Sequence, residues 1–110
     1  MDRLTRIIEC IKKYNPEKII LFGSGAYGEL DEYSDFDFVV IKNTDKRFLE
    51  RLIEVAKLID NDLGKVDVLV YTPDEFEDMV KAGNPFIKEV LEKGKIVYEL
   101  KRENLQNETK

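Results

Sequence analysis

Residues 21–41 read LFGSGAYGELDEYSDFDFVVI: an apolar run ends in Gly23-Ser24, ten residues follow, and Asp35-Phe36-Asp37 leads into a second apolar run that reaches Ile41. Side chains alternate faces along a strand, so a strand over Asp35–Ile41 puts Asp35, Asp37, Val39 and Ile41 on one face and Phe36, Phe38 and Val40 on the other. The two carboxylates then project together, with Cα atoms about 6.5 Å apart. Anionic oxygens held that close shift one another's pKa unless a positive charge lies between them, and a hard cation such as Mg²⁺ is the usual resolution. A phosphate cradle at Gly23-Ser24 beside such a pair points to metal-dependent chemistry on a nucleotide. The plainer reading, acids that only solvate a strand end, leaves the upstream Gly-Ser unexplained.

The glycines by themselves allow other readings. Gly23-Ser24-Gly25-Ala26-Tyr27-Gly28 formally satisfies G-x-G-x-x-G. A dinucleotide-binding unit, however, needs a helix after the last glycine long enough to return to a parallel strand, about 10 residues or more. Only Glu29 to Ser34 separate Gly28 from Asp35, so that reading fails on length. The same letters imitate the glycine-rich loop of protein kinases, but Asp-Phe-Asp is not Asp-Phe-Gly, no His-Arg-Asp follows, and 110 residues cannot hold that fold. A Walker loop is absent, since no Gly-Lys-Ser/Thr occurs.

Composition fits one small domain, residues 1–100, followed by a polar tail, 101–110, without periodicity. A net charge of −5 argues against a general nucleic-acid binder, because phosphate backbones are engaged mainly by Lys and Arg. With no histidine and a single cysteine, Cys10, neither an internal disulfide nor a zinc site is expected, and Cys10 reads as a small apolar filler. No signal peptide and no apolar run of membrane-spanning length appears, so a cytoplasmic protein without membrane contact is the expectation.

Periodicity lays out the elements. Leu4, Ile7, Ile8 and Ile11 predict an amphipathic helix over Asp2–Tyr14, stopped by Asn15-Pro16. Lys18–Phe22 reads as the first strand, and Ser24–Tyr27 as a short helix whose backbone amides face the site. After the second strand a helix starts near Thr44 or Asp45, with Phe48, Leu49, Leu52, Ile53, Val55, Ala56 and Ile59 on its buried side, and ends at Asn61-Asp62-Leu63-Gly64. In the third strand, Lys65–Tyr71, Val66, Val68 and Val70 alternate against Asp67, Leu69 and Tyr71. Asp67 is therefore a third candidate carboxylate, or else an edge-strand acid facing water. Thr72-Pro73-Asp74-Glu75 reads as a capping box opening a helix that buries Phe76, Met79 and Val80, which makes Asp74 and Glu75 capping residues. Asn84-Pro85 opens a further helix carrying Phe86, Ile87, Val90 and Leu91, and Gly94 releases it into an extended segment, Ile96–Leu100.

Gly23-Ser24 spaced ten residues from Asp35-x-Asp37, the later VDVLVYTPDEF and the closing PFIKEVLEKGKIVYE together resemble the minimal nucleotidyltransferases of the polymerase-beta-like superfamily. The resemblance runs from the first helix to Tyr98. It implies an α+β fold, a small mixed β-sheet with helices packed on it. It also implies that Ser24 and the backbone of Gly23-Ser24-Gly25 hold the β- and γ-phosphates of a nucleoside triphosphate. Asp35, Asp37 and Asp67 are then catalytic and bind two Mg²⁺ ions, so that an acceptor hydroxyl attacks the α-phosphorus without a histidine base.

The chain departs from the family where an Arg commonly stands between the Gly-Ser and the next Gly, for it has Gly25 and Tyr27. Lys42, Arg47 and Lys65 are candidates for the missing charge. Tyr27 reads as a packing or partner residue, and Glu29, Asp31 and Glu32 as a solvated loop rim. By the same resemblance the chain is the antitoxin of a pair, transferring AMP from ATP to a tyrosine of an all-helical HEPN-type RNase toxin. The alternative is a binding module that neutralises such a partner by occlusion.

Overall fold

The computed structural model describes residues 1–23 and 35–100. Helix α1, Arg3–Lys12, begins where the Asp2 side chain accepts a hydrogen bond from the Thr5 amide at 2.8 Å, an N-cap contact. Asp2 is thus the cap and not the first helical residue, and the helix ends at Lys12 instead of Tyr14. Asn15 takes a left-handed φ of 60° ahead of Pro16 and turns the chain away. Ile7, Cys10 and Ile11 form the buried face, so Cys10 is the apolar filler expected of it.

Strands β1 (Lys18–Phe22), β2 (Phe36–Ile41), β3 (Val66–Tyr71) and β4 (Lys95–Glu99) make one mixed sheet in the order β3-β2-β1-β4. β1 is antiparallel to both β2 and β4, whereas β2 and β3 run parallel. The antiparallel β1–β2 step excludes the dinucleotide-binding reading a second time, since that unit needs parallel neighbours. The parallel step from β2 to β3 takes the long crossover such a step requires, through helix α2, Phe48–Ala56, and a 3₁₀ turn at Asn61–Leu63. Helices α3, Pro73–Lys81, and α4, Pro85–Lys93, follow β3.

The sheet is covered on both faces. Phe36, Phe38 and Val40 join Ile19, Leu21 and Val70 under Ile7, Ile11 and Tyr14 of the N-terminal segment and Val55 of α2. Ile20, Val39 and Ile41 pack on the other face against Val90 of α4 and Phe76 of α3. The α+β class and the small mixed sheet are as the sequence implies. Among the described residues no helix is long and apolar enough to cross a membrane.

Helix α2 departs from expectation. It starts at Phe48 behind Arg47, not near Thr44, and it turns Leu49 and Ile53 outward, 70% and 56% exposed. Ala56 is exposed as well, while Arg51 and Val55 are buried. The reason is Arg51. Its guanidinium donates to the Lys46 carbonyl at 2.8 Å, to the Val70 carbonyl at 3.2 Å and to both Glu75 carboxylate oxygens at 2.8 and 3.1 Å. Those acceptors lie inward, so the helix rotates toward them and carries the Leu49–Ile53 stripe to the surface. Val80 of α3, expected inside, is 43% exposed.

Candidate active site

Register across three strands assembles the site. Phe22 of β1 pairs with Asp37 of β2, and Asp37 pairs with Asp67 of β3. Paired residues on adjacent strands project to the same face, so Phe22, Asp37 and Asp67 form one row across the sheet. The row lies on the face that carries α3 and α4, as the neighbouring Val39 and Ile41 do. Asp35 precedes the strand it was expected to open and is exposed, with a Lys65 Nζ to Asp35 Oδ2 distance of 4.0 Å.

Asp67 meets both readings the sequence left open. β3 is an edge strand and Asp67 is exposed, as a solvated edge acid would be. The parallel register nevertheless sets it directly beside Asp37. Partial burial raises the pKa of Asp37 above the usual 3.8, the charges of Asp67 and Asp35 push it the same way, and Lys65 opposes them. Like charges are therefore gathered here and left incompletely balanced.

Gly23 is what lets the Asp37 carboxylate sit where it does. A Cβ built on Gly23 would stand 2.7 Å from Asp37 Oδ2, and the residue has a φ of +75°. Only a residue without a side chain meets both conditions at no cost. Ser24, Gly25, Tyr27, Glu29, Asp31 and Glu32 lie outside the described residues, as do the expected helix over Ser24–Tyr27 and the tail 101–110.

Of the three candidate cations, one reaches the site. Lys42 donates to the Tyr14 carbonyl at 2.6 Å, and Arg47 caps α2, where its amide donates to Glu50 Oε1 at 3.0 Å. Lys65 alone of the three stands near the aspartates. Thr72 and Glu75 cap α3 reciprocally, as the sequence predicts, at 3.1 and 2.9 Å. Glu75 is thus the capping residue the sequence predicts.

Arg3 is a supporting residue the sequence did not disclose. Its Nε donates to the Leu63 carbonyl and its Cζ stands 4.7 Å from the Phe36 ring centroid. It occupies the space left by Gly64, whose φ is +82°. The Leu63–Lys65 turn, held in this way, leads directly into the strand that presents Asp67.

The donor set suits Mg²⁺ without enclosing it. Among the described residues no three Asp, Glu, His or Cys side chains converge as a ready metal cage. Mg²⁺ does not require one, because it usually takes one or two carboxylates together with substrate phosphates and water. The adjacent Asp37 and Asp67 supply such a pair, and the raised pKa of Asp37 reflects a site that a cation would relieve. A larger cavity, about 410 Å³, opens beside Glu17, Lys18, Ile41 and Glu99, at the end of the sheet away from this pair.

Residues 4–98 match the nucleotidyltransferase domain family. The structure is also similar to the crystal structure of a Sulfolobus solfataricus protein described as a nucleotidyltransferase, with a TM-score of 0.59 and 24% identity over 92% of this chain and 79% of that one. At that identity the likeness speaks for the fold. No curated protein matches the chain in sequence.

Proposed function

We infer the reaction from one premise: the chain belongs to the nucleotidyltransferase domain family. The reaction is a magnesium-dependent transfer of AMP from ATP to a hydroxyl of a protein partner. The acceptor is a tyrosine of an all-helical HEPN-type RNase toxin, and the chain is its cytoplasmic antitoxin. The observation that carries the chemistry is the register pairing of Asp37 with Asp67, with Gly23 packed against Asp37.

Asp35, Asp37 and Asp67 would hold two Mg²⁺ ions, and Gly23 and Ser24 would receive the triphosphate. When bound there, Mg²⁺ lowers the pKa of the attacking hydroxyl and offsets charge developing on the phosphoryl oxygens. The acceptor hydroxyl gives up its proton to solvent as its oxygen forms a bond to the α-phosphorus, the bond to the bridging oxygen breaks, and pyrophosphate leaves with the electron pair. Lys65, 4.0 Å from Asp35, would take the place of the Arg that Gly25 and Tyr27 do not supply.

Support for a protein partner comes from α2, where Leu49 and Ile53, one turn apart, present apolar surface to solvent. The choice of a HEPN-type toxin rests on the resemblance to minimal nucleotidyltransferases. Adenylation would add an anionic group near the toxin's RNA site and repel substrate phosphate.

The test incubates the chain with Mg²⁺, each α-labelled nucleoside triphosphate and the product of the neighbouring gene. Label on the partner that is lost in Asp35→Asn/Asp37→Asn supports the reading. Neutralisation of the partner by both proteins without label would replace the enzyme with a binding module.

A further inference from the structure

A cavity of about 180 Å³ opens against the aspartate row, lined by Phe22, Gly23, Phe86, Glu89, Val90 and Lys93. Phe22 is the strand partner of Asp37, so cavity and carboxylates share one face of the sheet at one level. Phe86, on the first turn of α4, stands edge to face with Phe22, ring centroids 5.3 Å apart at 80°. It remains 37% exposed, so an aromatic surface is open to a ligand.

Size narrows the occupant. Cavities of about 150 Å³ accept one small aromatic ring, whereas drug-sized ligands take about 300–1,000 Å³. This one fits a planar ring and not a whole nucleotide. Its rim is polar on one side, where Glu89 and Lys93, one turn apart on α4, place an acceptor and a donor. Nucleobases present that combination of groups along their edge. Gly23 decides between the base and an acceptor's ring. Gly23, where the proposed phosphate site begins, is also a wall of the cavity, which favours a ring joined to the phosphates.

We propose that this cavity seats the base of the nucleoside triphosphate, with Phe86 as its stacking surface and Glu89 and Lys93 reading its polar edge. The assignment rests on the nucleotide-transfer reading above. It makes base preference a property of α4, on a different element from the carboxylates that carry the chemistry.

Calorimetric titration with ATP, GTP, CTP and inorganic tripolyphosphate, each with Mg²⁺, tests it on the wild type and on Phe86→Ala, Phe86→Tyr and Glu89→Gln. Circular dichroism melts check that each variant is folded. Loss of one stacking surface weakens nucleotide binding by about 10-fold. The expected result is that loss for ATP with Phe86→Ala, unchanged tripolyphosphate binding, recovery with Phe86→Tyr, and an altered ATP-to-GTP preference with Glu89→Gln. Equal affinities of wild type and Phe86→Ala for ATP would overturn the base pocket while leaving nucleotide transfer standing. A wild type that binds no triphosphate would overturn the transfer reading and the pocket with it. Equal weakening of ATP and tripolyphosphate by Phe86→Ala would also overturn the pocket, because it would mark a phosphate effect.

Discussion

The two ends of the sheet treat charge in opposite ways. Where β2 and β3 end, the buried Arg51 meets Glu75 in a bidentate pair at 2.8 and 3.1 Å and also donates to two backbone carbonyls. Both charges have partners, and the Glu75 carboxyl is held below its usual range, first by its hydrogen bond to Arg51. Where the same strands begin, Asp35, Asp37 and Asp67 crowd together with Lys65 as the nearby cation, and Asp37 is shifted the other way. A fold selected for stability alone would pair or remove such acids. The first arrangement holds elements together, and the second leaves a repulsion that a bound cation would relieve.

Replacing Asp37 with Asn should give the largest effect and should separate the two roles. If Asp37 holds the metal as proposed, its loss removes several kcal/mol of transition-state charge stabilisation and lowers transfer by about a thousandfold. Stability should move in the other direction. A carboxyl whose folded pKa is raised favours the fold below its unfolded value, 3.8, and loses that contribution as pH rises through the folded value. The variant should therefore melt higher than wild type at pH 7, and the gain should vanish as pH falls toward 3.8. Mg²⁺ should raise the wild-type melting temperature more than the variant's. Scanning calorimetry across pH and Mg²⁺ reads all three. A variant that melts lower at pH 7 would show that Asp37 is a structural charge like Glu75.

Arg51→Met should behave oppositely, costing stability and sparing chemistry. Removing one partner of a buried pair costs about 3–5 kcal/mol. The Glu75 side chain is 46% exposed and can rehydrate, so about 2 kcal/mol is the fitting expectation. That corresponds to a melting drop of roughly 8–16 °C for a domain near this size. Sign follows from Glu75: a depressed carboxyl pKa stabilises above the unfolded value, 4.5, and that contribution is lost as pH falls through the folded value. The gap between wild type and variant should accordingly narrow in acid, whereas transfer per folded molecule at neutral pH stays within about twofold, on the footing that distant sites act independently.

The asymmetry between the ends was only partly legible in the sequence. Alternation along Phe36–Ile41 and Val66–Tyr71 fixes which face each aspartate takes, because the strand period leaves no choice. That Asp67 stands beside Asp37 depends on β3 pairing in parallel with β2, and spacing along the chain carries no such information. Alternation along Lys65–Tyr71 marks Asp67 as a candidate acid, the resemblance implies its catalytic role, and the parallel register sets it beside Asp37. Ser24, the other half of the opening motif, lies outside the described residues. Helix α2 departs from its periodicity for a physical reason. Phe48, Leu49, Leu52, Ile53, Val55 and Ala56 cover an apolar arc too wide for one buried face, and the choice of face falls to Arg51. Its partner Glu75 follows β3, so local periodicity could not anticipate it. The role of Arg3 is illegible for the same reason, since its contact at Leu63 is distant in sequence.

Ile53→Glu gives the smallest expected effect and tests that reading of α2 directly. If Ile53 were the core residue its spacing predicts, a buried charge there would cost several kcal/mol and unfold much of the protein. At 56% exposure on the outward stripe, the change should stay within about 0.5 kcal/mol. Lys57, four residues on, can pair with the new carboxylate and offset part of any loss. The melting temperature should then be nearly unchanged while Arg51→Met, two positions away, lowers it severalfold more. Such a contrast between near neighbours is what a helix rotated by one buried guanidinium requires. The same variant also probes the surface, because a partner seated on Leu49 and Ile53 would release it without any change in the melt.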